Sequence, residues 1–155
     1  MPDSSIPKSV RDDLYARFNK DALDTGIEIG GDGFLGRLIE LDGLDTQWAE
    51  GFLNWVYGTV YRRRVLDRRT RELVTVGEHV VLGNDRAMKT HMKAALKFGA
   101  KREEIIEVCL NSAVYNGFPK AHHGLAVFYK AEKEYLEENK PKKPAARAAK
   151  VGRKA

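Results

Sequence analysis

Residues 83–99 are GNDRAMKTHMKAALKFG, and their pattern decides the fold. Asn84 or Asp85 offers a side-chain oxygen to cap a helix. Met88, Met92 and Ala95 then recur at i, i+4 and i+7, beside Ala87, His91, Ala94 and Phe98. Gly99 supplies a stop. The spacing predicts an amphipathic helix with a defined start and end. One residue on its apolar side is out of place: His91 is an imidazole where a core helix should carry a hydrocarbon.

The same period extends in both directions. Upstream, LDRRTRELVTVGEHVVLG (66–83) predicts a helix from Asp67 to a stop at Gly83, with Leu73, Val76 or Gly77, and Val80 inward. Before it, LDTQWAEGFLNWVYGTVYRRR (44–64) predicts one capped by Asp45 or Thr46, with a stripe of Trp48, Phe52, Trp55, Val56 and Thr59. In SVRDDLYARFNKDAL (9–23), Val10, Leu14, Phe18 and Ala22 recur every four residues. Downstream, KREEIIEVCLNSAVYNG (101–117) places Glu103 and Glu104 in a positive first turn and Gly117 at the stop. A last helix starts at Pro119, a favoured first position, and follows Ala121, Leu125, Phe128 and Tyr135 until NKPKKP. The glycine-rich DTGIEIGGDGFLGRLIELDG (24–43) is expected to be an irregular connector with a short helical turn near residues 34–39. Six helices with short connectors predict an all-α, single-domain bundle. Its parts are an N-terminal helix and connector (1–44), a helical domain (45–138) and a disordered basic tail (139–155).

At 155 residues, with 43% hydrophobic and 32% charged side chains, the chain suits one globular domain. No apolar run reaches the ~18 residues that a membrane span needs, and the polar N-terminus is unlike a signal segment, so the expected location is the cytoplasm. The net charge of +5 hints at nucleic acid until it is divided along the chain. Residues 139–155 hold seven Lys or Arg and no acid, leaving 20 basic against 22 acidic side chains in the body. Such a tail suits a solvated extension, with no more than weak, salt-sensitive contacts to phosphate backbones.

Several motifs are weighed and set aside. GDGFLG (31–36) fits GxGxxG, but that fingerprint needs a preceding strand and a βαβ sequel, and the sequel here is helical. His79, His91, His122 and His123 form no HExxH, and neighbours such as Glu78 and His79 point in different directions, so no metal is expected. Cys109 is alone, which excludes a CxxC pair, and its apolar surroundings suit a buried thiol. Arg62, Arg63, Arg64, Arg68, Arg69 and Arg71 either pair with nearby acids or receive a carboxylate.

From Phe52 to about Tyr135 the chain resembles the carboxymuconolactone decarboxylase family, relatives of the alkylhydroperoxidase D-like proteins. The matching pieces are LDRRTRELVT (66–75), HMKAAL (91–96) ahead of Gly99, REEIIEV (102–108) and AVYNGFP (113–119), in order and at spacing. The resemblance implies an all-helical subunit in a ring-like homotrimer or homohexamer, with active sites near subunit contacts. The superfamily's thiol branch uses a CxxC pair, a histidine four residues later and a glutamate nineteen residues before that histidine. Glu72 and His91 fall on the last two places, while Asn84 and Ala87 stand where the cysteines would be. Thiol peroxidase chemistry is therefore not expected, and His91 becomes the retained acid–base residue. The alternative is a buried histidine with only a structural hydrogen bond.

The namesake reaction takes CO2 from a lactone whose ring double bond and carbonyl absorb the electrons, so no cofactor is implied. The expected enzyme is a carboxy-lyase of aromatic-compound breakdown. His91 donates to the oxyanion and then delivers a proton, and Glu72 orients its imidazole. Arg62 or Arg71 anchors a carboxylate, and Tyr115 is a further donor. Two other readings stay open. One is a different cofactor-free lactone or keto-acid enzyme on this scaffold; the other is a non-catalytic oligomeric binding protein whose tail touches nucleic acid.

Overall fold

The computed structural model describes residues 6–140; most of the expected basic tail lies outside them. Every regular element among the described residues is helical: α1 (Lys8–Arg17), α2 (Lys20–Leu44), α3 (Thr46–Phe52), a π-helix continuing it (Leu53–Val60), α4 (Arg68–Leu82), α5 (Asp85–Lys97), α6 (Arg102–Asn116) and α7 (Phe118–Glu138). No helix there is long and apolar enough to cross a membrane. The helix starts are side-chain built. Asn19 accepts from the amide of Ala22, Asp45 from Trp48, Asp67 from Thr70 and Asn84 from Ala87, at 2.8–3.1 Å. These are the bonds that satisfy orphaned first-turn amides. At the other end, Gly83 stops α4 with φ +72°, a left-handed conformation that favours glycine.

Two hydrophobic cores result. Val76, Val80, Met88, Met92, Ile105, Cys109, Phe128 and Ala131 fill the α4–α7 bundle. Leu14, Phe18, Ala22, Leu23, Phe34, Leu35, Leu38, Ala49 and Leu53 knit α1, α2, α3 and the π-helix together. Ile29, Tyr61 and Ala94 join the two. That seam is where α5 presents His91.

Three expectations are corrected. The glycine-rich stretch is not a connector: it is helical within α2, broken only at Gly31 (φ 55°, ψ −141°). A helical glycine costs about 1 kcal/mol relative to alanine, but burying Leu23, Ile29, Phe34, Leu35 and Leu38 returns about 1.5–3 kcal/mol each. Burial wins, and the helix count rises beyond six. The first expected helix is also interrupted, at Phe18 and Asn19, although Leu14, Phe18 and Ala22 still share one core. Finally, Trp48 and Trp55 are 67% and 66% exposed, and the inward residues are Ala49, Leu53 and Tyr61. The inward face is one position off the expected stripe already in α3, at Ala49, and beyond Leu53 the wider π-turn, with the Tyr61 amide donating to the Val56 carbonyl at 2.9 Å, carries it past the 3.6-residue period.

Gly26 gives a stability test. A Cβ there would lie 2.2–2.5 Å from the ring atoms of Phe34, whereas one at Gly36 meets nothing within 4 Å. Gly26→Ala should destabilise by about 1–3 kcal/mol through overpacking. Gly36→Ala should stabilise by about 0.4–1 kcal/mol. Urea unfolding of both variants separates packing from helix propensity.

Candidate functional site

The antiparallel pair α4 and α5, turned by Gly83 and Asn84, brings residues 19 apart in sequence face to face. Glu72 and His79 are seven residues apart on α4, two turns along one side. Glu72 is 0% exposed. The Nδ1–H of His91 donates to its Oε2 at 2.7 Å, and its Oε1 is buried with no hydrogen-bond partner. An ionised carboxylate accepts only, so this bond fixes the imidazole tautomer and leaves Nε2 of His91 as the working nitrogen.

His91 faces a cavity of about 410 Å³ walled by α2, the π-helix, α4 and α5. Its ring stacks with His79 at 5.3 Å between centroids, and with Tyr61 at 6.5 Å. Tyr61 stacks in turn on Tyr57 at 5.6 Å, and Tyr57 meets Phe34 and Phe52 edge-on. The helix break at Gly31 has a use here, because Gly30 and Gly33 on either side form part of the cavity wall. Three guanidiniums line the space, Arg37, Arg71 and Arg86, together with the carboxylate of Glu78. Arg86 pairs with Glu40 at 3.1 Å. Arg71 lies 5.5 Å over the Tyr61 ring and donates to the carbonyl of Arg63, and Arg37 lies 6.0 Å over Phe52. The last two face no carboxylate at ion-pair distance among the described residues, which suits an anionic guest.

The residues expected from sequence are not all gathered. His91 and Arg71 line the cavity, and Glu72 is buried behind His91, bonded to its Nδ1. Arg62 lies elsewhere: it pairs with Asp21 at 2.5 Å in a separate groove beside the 61–68 loop. Tyr115 is 82% exposed on α6 and lines a third groove with Val74, Gly77 and Val81. Neither lines the cavity that His91 faces. Glu78 and His79 both line this cavity. His79, Tyr61, Tyr57 and Arg37 were missed. The two-turn spacing from Glu72 was a usable signal for His79; nothing local marks Arg37, which arrives from another helix.

Burial and the Glu72 carboxylate push the Tyr61 hydroxyl up to about 12, so it stays a phenol at neutral pH. Burial pushes the Cys109 thiol up to about 11, in keeping with a packing role. Burial first, then the charges of His91 and Arg37, hold the His79 imidazolium below its ordinary 6.5. As pH falls through about 6.5, unfolded His79 takes a proton that the folded ring resists. The unfolded state then binds more protons, so this contribution to stability is intact above that range and is lost below it. A melt at about pH 5.5 should fall below one at about pH 7.5, and the gap should narrow in His79→Phe. An unchanged gap would contradict this account of the ring.

Among the described residues, no three His, Cys, Asp or Glu side chains come together as a metal would require. His123 instead pairs with Asp85 at 2.6 Å. Asn84, at the first cysteine place of the thiol branch, caps α5.

Comparison with known proteins adds to the geometry. A family model for the carboxymuconolactone decarboxylase family matches residues 46–130, a span containing both Glu72 and His91. The chain is 26% identical to 4-carboxymuconolactone decarboxylase of Acinetobacter baylyi over 119 residues, covering 76% of this chain and 87% of that one. It is 32% identical to nitrosuccinic acid decarboxylase of Metarhizium robertsii over 92 residues, covering 58% of this chain and 63% of that one. An uncharacterized 15.0 kDa protein of Paracoccus denitrificans is 29% identical over 85 residues, 54% of this chain and 61% of its own length.

Proposed function

The chain belongs to the carboxymuconolactone decarboxylase family, and on that premise we propose that it decarboxylates a small dicarboxylic substrate without a cofactor, γ-carboxymuconolactone or a close analogue, at the Glu72–His91 cavity. One observation carries the reading: a fully buried glutamate fixes the tautomer of a histidine that faces a cavity lined by guanidiniums.

The substrates named for the two decarboxylase relatives share a chemical logic. Each has two carboxylates, one on a carbon whose electrons can spread onto oxygen, through a conjugated lactone carbonyl in one case and a nitro group in the other. When the C–C bond to that carboxylate breaks, its electron pair moves onto the oxygen sink and CO2 departs. The pair then returns to carbon as a proton arrives. The substrate is its own electron sink, so the protein has to hold, polarise and protonate.

Arg37 and Arg71 suit the carboxylate that stays, as paired forks for a planar anion. The aromatic wall of Tyr57, Phe34 and Phe52 keeps water away from the reacting carbon, which strengthens every charge interaction inside. His91, as the imidazolium paired with Glu72, gives the Nε2 proton to carbon and recovers one from solvent. If Arg71 anchors substrate, Arg71→Ala should raise KM about tenfold or more with kcat little changed. An unchanged KM would make Arg71 a structural charge.

The same reading places the enzyme in the breakdown of aromatic compounds and assembles it as a trimer or hexamer. Exposed Val74, Val81, Leu110, Val114, Tyr115 and Phe118 on α4, α6 and the start of α7 support self-association. Sedimentation giving a monomer at micromolar concentration would overturn the assembly. For the substrate, the test is kcat/KM for γ-carboxymuconolactone and nitrosuccinate side by side, following CO2. Selective turnover of the lactone supports the first assignment. Selective turnover of nitrosuccinate moves the substrate to nitro acids, and turnover of neither removes the proposal.

A further inference from the structure

The cavity holds two imidazoles, and the mechanism above uses one. His79 stacks on His91 with ring centroids 5.3 Å apart and planes within 12°, and it lines the same space. Its Nδ1 is buried without a hydrogen-bond partner. That atom fixes the tautomer. A buried N–H with nothing to donate to is rarer and costlier than a buried bare lone pair. The proton therefore sits on Nε2, the nitrogen left to meet a ligand. A second proton is opposed because it would create the orphaned Nδ1–H and set a cation against the stacked His91 ring.

We propose that His79 is a neutral hydrogen-bond donor to the developing oxyanion, its Nε2–H holding the oxygen while the His91–Glu72 pair supplies the proton to carbon. This rests on the decarboxylase reading. The division of labour follows from the two environments. His91 is tied to a carboxylate and can exist as the imidazolium; His79 has no carboxylate at ion-pair distance among the described residues. During the reaction the C–C bond breaks, CO2 leaves and the electron pair reaches the sink oxygen, where the His79 N–H shares its hydrogen without transferring it. The pair then returns to carbon and takes the Nε2 proton of His91, after which the oxygen leaves His79 unchanged. A fixed donor of this kind contributes in the transition state more than in the ground state, so it acts on kcat.

Two measurements test the assignment. Long-range 1H–15N correlation of the histidine rings at about pH 7 should show His79 neutral with its hydrogen on Nε2; a hydrogen on Nδ1, or a doubly protonated ring, overturns the proposal whatever the substrate. For turnover, His79→Phe keeps the stack and volume but removes the donor, and His79→Gln restores an N–H near the Nε2 position without a titratable group. The phenylalanine variant should lose about a hundredfold in kcat with KM within about threefold, and glutamine should recover to within about tenfold of wild type. A fully active phenylalanine variant makes His79 structural, and a glutamine variant as slow as phenylalanine makes it a proton carrier; either result sinks the donor role. If wild type decarboxylates neither substrate, the decarboxylase reading fails together with the oxyanion, while the ring spectrum still decides separately whether His79 is a neutral Nε2–H donor.

Discussion

His91→Ala is expected to lower kcat by about 10²–10⁴, the range that a positioned general acid contributes, with far-UV circular dichroism unchanged. The size of the effect rests on His91 Nε2 being the working nitrogen of a ring already fixed through Nδ1. Removing the ring also leaves the buried Glu72 carboxylate without a partner, so the variant should melt lower than wild type while keeping its helices. A variant that melts within a few degrees of wild type and turns over at near wild-type rate would take His91 out of the mechanism.

Glu72→Gln is expected to cost about 10²–10⁴ in kcat as well, for a different reason. The amide oxygen can still accept from Nδ1, so the shape survives. The charge that stabilises an imidazolium is lost, and the neutral amide no longer dictates which nitrogen carries hydrogen. Because the two residues act as one unit, the double variant should be little slower than either single one. Independent, multiplying losses in the double variant would show that the 2.7 Å contact has no part in proton delivery.

Much of the fold was legible because capping chemistry and hydrophobic period agree in α4 to α7. Asp67, Asn84, Gly83 and Gly117 stand where the sequence puts them, and Val76, Val80, Met88 and Met92 are buried as their spacing requires. The N-terminal half was less legible because two tertiary effects override local preference. Phe34 packs onto bare Gly26, so that glycines which resemble a loop serve a helix. The buried face of α3 and the π-helix runs through Ala49, Leu53 and Tyr61 rather than Trp48 and Trp55, and the sequence has no 3.6-residue signature for a π-turn. The site divides in the same way. His91 stood out as an imidazole on an apolar helix face, and Glu72 was reached through the family resemblance; the two-turn spacing from Glu72 could have added His79. Arg37, Tyr57 and Tyr61 come from elements whose approach to α5 depends on the N-terminal core, and the arginine-rich 62–64 stretch drew Arg62 into the expected site although its partner is Asp21.

The most direct test of a protein-held acid delivering a proton to a decarboxylated carbon is wild-type turnover of γ-carboxymuconolactone in D2O, following CO2 and deuterium in the enol-lactone by NMR. CO2 release is expected, with one deuterium, in a single configuration, at the carbon next to the lactone carbonyl. No CO2 release, or deuterium placed without stereochemical preference, would contradict it.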